Sequence, residues 1–305
     1  MNGEIVYLFI YDSGIRFTDE QLKGLLKNPE DFSKYEYNRP TPEEIPALNV
    51  PFIFNLKDEI LMLENIQYKF RTQVSLYVTG QFVIRVRYSS GDIHPALSKM
   101  TYNHVITSFI DSVALKAKNR VEISLSKICD IHINELTEAY RFYYMEGEKS
   151  TALKQYKKNI TGLLIDEPST ATLDEKYVDE ILSRNISYNS DDIHFVGWES
   201  AVLVDKLTNY EHELLIAEIA NVQLLEMRII HKNILEKLAS SNKTIGALTK
   251  LDFLKRRYGY NLGSLNKDLG EFYETTKELT NIITDTPFGL GEWYLSKLYV
   301  YIADF

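Results

Sequence analysis

The sequence predicts an α+β fold: a mixed, mainly antiparallel sheet with helices on one side, followed by a C-terminal region of long, coiled-coil-like helices. Three observations carry that prediction. Residues 68–78 and 81–88 are β-rich arms that meet at Thr79-Gly80, a hairpin signal. Segments recur in the order strand, helix, strands, helix, strand, which resembles a split βαβ sandwich. Residues 208–239 form the longest unbroken helical pattern, with no Gly or Pro between Leu214 and Leu238.

Composition bounds the rest. A chain of 305 residues suits two domains: an α/β head over 1–207, with a sub-boundary near 165, and a helical stalk over 208–305. The net charge of −9 argues against a general nucleic-acid partner, because neutralising phosphates needs a basic face. One cysteine, Cys129, cannot form an intrachain disulfide, so the reducing cytoplasm is the natural compartment and a small buried thiol the natural role. The start, MNGEIVYLFIYD, lacks the basic and apolar regions of a signal peptide. No run of about 18 uncharged apolar residues occurs.

Taken in order, residues 4–11 are apolar on both registers (Ile5, Tyr7, Phe9 against Val6, Leu8, Ile10), as in a strand buried on both faces. Thr18 and Gln21 stand at capping-box spacing before Leu22, Leu25 and Leu26. Four of the eight prolines fall in 29–50, which reads as a loop. Residues 51–55 and the two hairpin arms follow as strands. The second arm places Arg85 and Arg87 on one face, where they either grip a phosphate or carboxylate or lie in water and pair with acids. Residues 95–118 carry the stripe Leu97, Met100, His104, Ile106, Phe109, Val113 and Ala117, which predicts a helix across the sheet with His104 as a core histidine.

Residues 137–145 read as a strand and 153–160 as a short helix. A helix over 173–183 and short strands over 185–188, 193–198 and 201–204 extend the same sheet. Thr208 and Glu211 then open the long helix with a second capping-box spacing. At about 1.5 Å per residue it spans roughly 45 Å, longer than a small domain is wide, so it leaves its own domain or is sheathed by other helices. Leu215, Ile219, Val222, Leu225 and Ile229 give it a wide apolar face, threaded by Glu218, Glu226 and Arg228. Those charges are expected to pair with a neighbouring helix or chain, or to face solvent. Residues 240–243 read as a polar turn and 245–257 as a further helix. Leu265, Leu269, Phe272 and Leu279 then mark a heptad seam, and an aromatic helix over 293–305 is still running where the sequence stops. The long helix and the seam together predict a homo-oligomer.

Chemical signatures are sparse. No P-loop, GxGxxG, HExxH, CxxC or GxSxG occurs, and no cofactor is implied. The best metal candidate is Asp191, Asp192 and His194, set against turn chemistry for the two aspartates. No catalytic residue can be singled out among 43 acidic side chains without geometry.

One stretch carries a resemblance. Residues 186–192 (ISYNSDD), 197–205 (GWESAVLVD) and 213–238 resemble an uncharacterised bacterial family related to the YagE-type domain of unknown function. Its AN-x-QLLE-x-R helix is matched by Ala220, Asn221, Gln223, Leu224, Leu225, Glu226 and Arg228. The resemblance implies a continuation into a transmembrane segment beyond this chain, hence a place on the cytosolic face of a membrane. The layout is also similar to that of CorA-type magnesium channels. Three readings follow: a non-enzymatic cytosolic region assembling through long helices, an enzyme or ligand-binding domain with a site on the sheet, or a metal-regulated channel domain.

Overall fold

The computed structural model describes residues 2–25, 33–34, 51–92, 103–206, 209–247 and 293–303, with individual helical positions between 263 and 280. At its centre lies β1 (Asn2–Asp12), whose two apolar registers give each face of a sheet a row of side chains. It pairs antiparallel with β6 (Gln81–Asp92) on one side and β7 (Glu138–Glu146) on the other.

Beyond β6 come β5 (Ile66–Leu76), β3 (Phe52–Asn55) and the short edge β2 (Ser33–Lys34), with β4 (Glu59–Leu63) also on β5. Beyond β7 come β10 (Ser200–Asp205), β9 (Ile193–Val196) and the edge β8 (Asn185–Ile186). Only the β7–β10 pair is parallel among the described ladders, so the sheet is mixed and mainly antiparallel, as the sequence predicts. The β5–β6 hairpin turns at Gly80, whose φ of 107° lies outside the range that L side chains adopt comfortably.

Local chemistry sets several helix ends. In α1 (Asp19–Leu25) the predicted capping box is formed: the Thr18 amide donates to Gln21 Oε1 at 2.8 Å and the Gln21 amide to Thr18 Oγ1 at 3.2 Å. Helix α2 (His104–Ser126) begins at Asn103, whose side chain accepts from the Val105 and Ile106 amides. It therefore runs further than the 95–118 reading, with Val121 and Leu125 buried, and His104 is exposed at its first turn instead of lying in the core. Leu97 and Met100 fall outside the described residues. Helices α3 (Lys149–Gln155), α4 (Lys157–Ile165) and α5 (Glu175–Leu182) follow, and Asp174 caps the last.

The two faces of the sheet carry separate cores. One gathers Ile84, Val86, Tyr88, Phe70 and Val202 under α2 and α4; the other gathers Val6, Leu8, Phe142 and Leu203 under the long helix α6 (Glu211–Ala247) and the final helix α7 (Trp293–Ala303). Helices therefore cover both sides of the sheet. The first half of α6 lies across β1, β7 and β6, with Leu215, Leu225 and Glu218 fully buried. The polar turn expected at 240–243 is absent, because the helix continues through Ala247; serine and asparagine cost a helix only a few tenths of a kcal/mol each. The last aromatic helix packs against α6 through Leu295, Leu298 and Tyr299.

Candidate functional site

The arginines of β6 do not stand on an open face. Alternation places Arg85 and Arg87 on the side that α6 covers, where Arg85 is fully buried and Arg87 nearly so. Glu211 and Glu218, a heptad apart on α6, reach down to them. Arg85 Nε donates to Glu218, which also accepts from the Tyr77 hydroxyl at 2.7 Å. Arg87 forks onto Glu211 at 2.6 and 3.3 Å. Burial by itself would raise the Glu211 carboxyl, but Arg87 and then Arg85 hold it below its ordinary value. The helix start is fixed by Tyr210, which hydrogen-bonds Glu4 and stacks on Tyr144 at 4.7 Å. Both guanidinium groups thus join helix to sheet.

Two further charges on α6, Arg228 and Lys232, are also met within the chain. Arg228 pairs with Glu138 of β7 instead of a glutamate from another helix or chain, and Glu226 is half-buried. Leu215, Ile219, Val222, Leu225 and Ile229 pack into the second core. Leu269 is exposed, while Leu265, Phe272 and Leu279 lie outside the described residues.

Asp191, Asp192 and His194 separate into three roles. Asp192 accepts from the Tyr188 and Asn189 amides and so organises the β8–β9 turn. Asp191 meets Lys206 at 3.0 Å in solvent. The His194 ring lies fully buried, edge-on to Phe142 with centroids 5.5 Å apart, and burial pushes its pKa down to about 3. Among the described residues no group of three or more His, Cys, Asp or Glu is placed to hold a metal ion. Burial, and then Asp130, push the Cys129 thiol up, away from thiolate chemistry.

The feature that sequence reading missed lies on the opposite face. There α2 packs on β6 and α4 on β10, leaving β1 and β7 between them. Tyr7, Phe9 and Tyr11 of β1 share this face with Ala139 and Arg141 of β7, where β7 runs past the start of β10. All three aromatics are half-buried, and Ala139 is exposed because β10 pairs with β7 only from Arg141 onward. Tyr7 and Phe9 stack with centroids 6.4 Å apart, and Lys118 of α2 lies 5.3 Å over the Tyr11 ring. At one end Arg141 pairs with Asp166 at 2.7 Å, and its amide donates to the carbonyl of Glu199 beside the exposed Trp198. Burial raises the Tyr7 phenol to about 12, Arg141 opposes that shift, and Asp166 and Asp111 add to it. Tyr11 is raised by burial, then by Asp111 and Glu122. The phenols are therefore neutral donors at ordinary pH.

Comparison with known proteins is consistent with an uncharacterised family. A family model described as uncharacterized protein MJ0711, N-terminal domain, matches residues 2–211. The uncharacterized protein MJ0711 of the archaeon Methanocaldococcus jannaschii is 25% identical over 148 residues, which cover 48% of this chain and 43% of that protein. The match thus spans less than half of that relative. No solved structure matches. These findings overturn the resemblance to a bacterial YagE-type family and to CorA channels: the match is archaeal, and it covers the head and ends where α6 begins. Of the residues that carried the resemblance, Ala220, Asn221 and Leu225 are buried, so packing within this chain accounts for them. With the resemblance goes its support for a membrane end. Among the described residues no helix is long and apolar enough to cross a membrane.

Proposed function

The chain belongs to the family of the MJ0711 N-terminal domain, and on that premise we propose that it is a non-catalytic assembly module in which α6 presents a contact surface to a second copy. The observation that supports this reading is the division of α6. Up to Ile229 the helix is built into its own head; after Ile229 no described side chain is buried, and Leu235 is 53% exposed. Eighteen residues remain to Ala247, about 27 Å at 1.5 Å per residue. A partner packed on the exposed side of this stretch, at Leu235, would bury apolar surface that the described part of the chain leaves open. The engagement of Arg85 and Arg87 by α6 supports a structural role for the sheet charges. The single thiol suits a reducing cytoplasm.

The test is molar mass in solution, by size exclusion with light scattering, for the wild-type chain and Leu235→Asp. The reading expects a dimer or larger that falls to monomer in the variant, with the head still folded by circular dichroism. A wild-type monomer at 100 micromolar, or a variant of unchanged mass, would remove it. Leu225→Asp is unsuitable, because Leu225 has no exposure and the variant would unfold the head.

A further inference from the structure

We propose that the outer edge of β4 is a docking site for an extended segment of another polypeptide, one with two apolar residues at alternate positions flanked by lysine or arginine. The backbone comes first. Glu64 and Asn65 both have positive φ, 50° and 64°, so β4 and β5 are joined by the two-residue turn that suits a twisted hairpin. In such a hairpin the pair beside the turn, Leu63 with Ile66, is hydrogen-bonded, and bonded and non-bonded pairs then alternate. Leu61 and Glu59 therefore turn their N–H and C=O groups towards β5, and those of Ile60 and Met62 point away from it. Among the described residues no strand pairs with β4 on that side. An open row of backbone donors and acceptors takes an extended strand, because a helix bonds its own backbone internally.

Side chains come next. Ile60 is 53% and Met62 62% exposed, while Leu61 and Leu63 of the other register pack against the first core. Natural edges are blunted by lysine, proline or a bulge. Strand β5 follows that rule: it pairs with β6 only from Phe70 onward, and the exposed Lys69 stands on the edge left open. Strand β4 does not, since residues 60–63 hold no charge and no proline and keep an unbroken register. A strand with apolar residues opposite Ile60 and Met62 covers both.

Charge separates a foreign strand from a second copy. A two-fold contact bonds the outward groups of both residues only with Ile60 opposite Met62 of the other copy. That register brings the exposed Asp58 of each copy towards the exposed Glu64 of the other, and like charges across strands destabilise a pair. A partner with cations at those two positions meets the same carboxylates favourably. Lys69 already meets Asp58 at 2.8 Å, whereas Glu64 has no ion pair to a described residue.

This edge stands apart from α6, so the proposal survives if the assembly reading fails. The experiment is fluorescence anisotropy of the intact chain with a labelled Lys-Thr-Val-Thr-Val-Thr-Lys peptide at 150 millimolar salt. Comparisons are the same peptide N-methylated at both valines, which removes the donors that an edge needs, and one with glutamate for lysine. Saturable binding of the unmodified peptide is expected, weakened at least tenfold by N-methylation, by glutamate, and by Ile60→Lys or Met62→Pro. The proline removes an outward N–H and keeps the bonds to β5, so circular dichroism should show unchanged melting. The N-methylated peptide tests the same hydrogen bonds without any variant. The proposal is overturned by no saturable binding, by equal binding of the N-methylated or glutamate peptide, or by equal binding to both folded variants. It is also overturned, in favour of a second copy, if Leu235→Asp stays a dimer and becomes a monomer only when Met62→Pro is added.

Discussion

Replacing Glu218 by leucine removes one half of an ion pair in which both side chains have 0% exposure. It also takes away the acceptor of the Tyr77 hydroxyl, and leaves Arg85 with Glu211 at 4.0 Å. Breaking a buried pair from one side costs about 3–5 kcal/mol, because the remaining charge stays desolvated. Set against the roughly 5–15 kcal/mol typical of a domain, at least about a fifth of the stability disappears. Removing both charges in Arg85→Met with Glu218→Leu should recover at least ~2 kcal/mol, since apolar replacement of a buried pair is often neutral. Urea unfolding at pH 7, followed by circular dichroism, supplies the three numbers. A single variant that loses less than ~1 kcal/mol, or a double variant no better than either single, would refute the account of how α6 is held.

Two further variants probe the same fold. His194 is neutral in the native state, with its pKa at about 3 against an ordinary 6.5, so the unfolded chain takes up the proton first as pH falls. The stability it contributes is complete above about pH 6.5 and is lost towards pH 3; in His194→Phe the midpoint of urea unfolding should vary less between pH 7 and 4, and an unchanged slope would contradict the assignment. Gly80→Ala places a Cβ 1.9 Å from the Ile15 carbonyl at a φ of +107° and should cost at least ~1–3 kcal/mol, measured as a lower thermal midpoint. A Gly80→Ala variant as stable as wild type would show that the turn relaxes.

Some of this was readable before any coordinates. The Thr18–Gln21 capping box, the Thr79-Gly80 hairpin and the apolar registers of β1 are local patterns, and local hydrogen-bonding and steric rules decide them. The burial of Arg85 and Arg87 was not readable, because alternation gives a face but not what covers it. A faint signal existed in Glu211 and Glu218, one heptad apart on the longest described helix. The half-open aromatic row of β1 was hidden for a different reason. Tyr7, Phe9 and Tyr11 read as one side of a doubly buried strand, since aromatic residues count as core in any apolar pattern. They are half-open because β10, and with it α4, flanks β7 only from Arg141 onward. The charges of α6 misled in the same way: Arg228 finds Glu138, ninety positions earlier in the chain, a pairing that no helical periodicity encodes.

Assembly through α6 beyond Ile229 is tested most directly by amide hydrogen exchange along that helix at 2 and 200 micromolar protein. Amides from about 215 to 229 should exchange slowly at both concentrations, because the sheet and α7 cover them. Those from 231 to 247 should gain protection only at the higher concentration, where a second copy is bound. Equal exchange of 231–247 at both concentrations would contradict assembly through α6, and rapid exchange of 215–229 would contradict its place on the sheet.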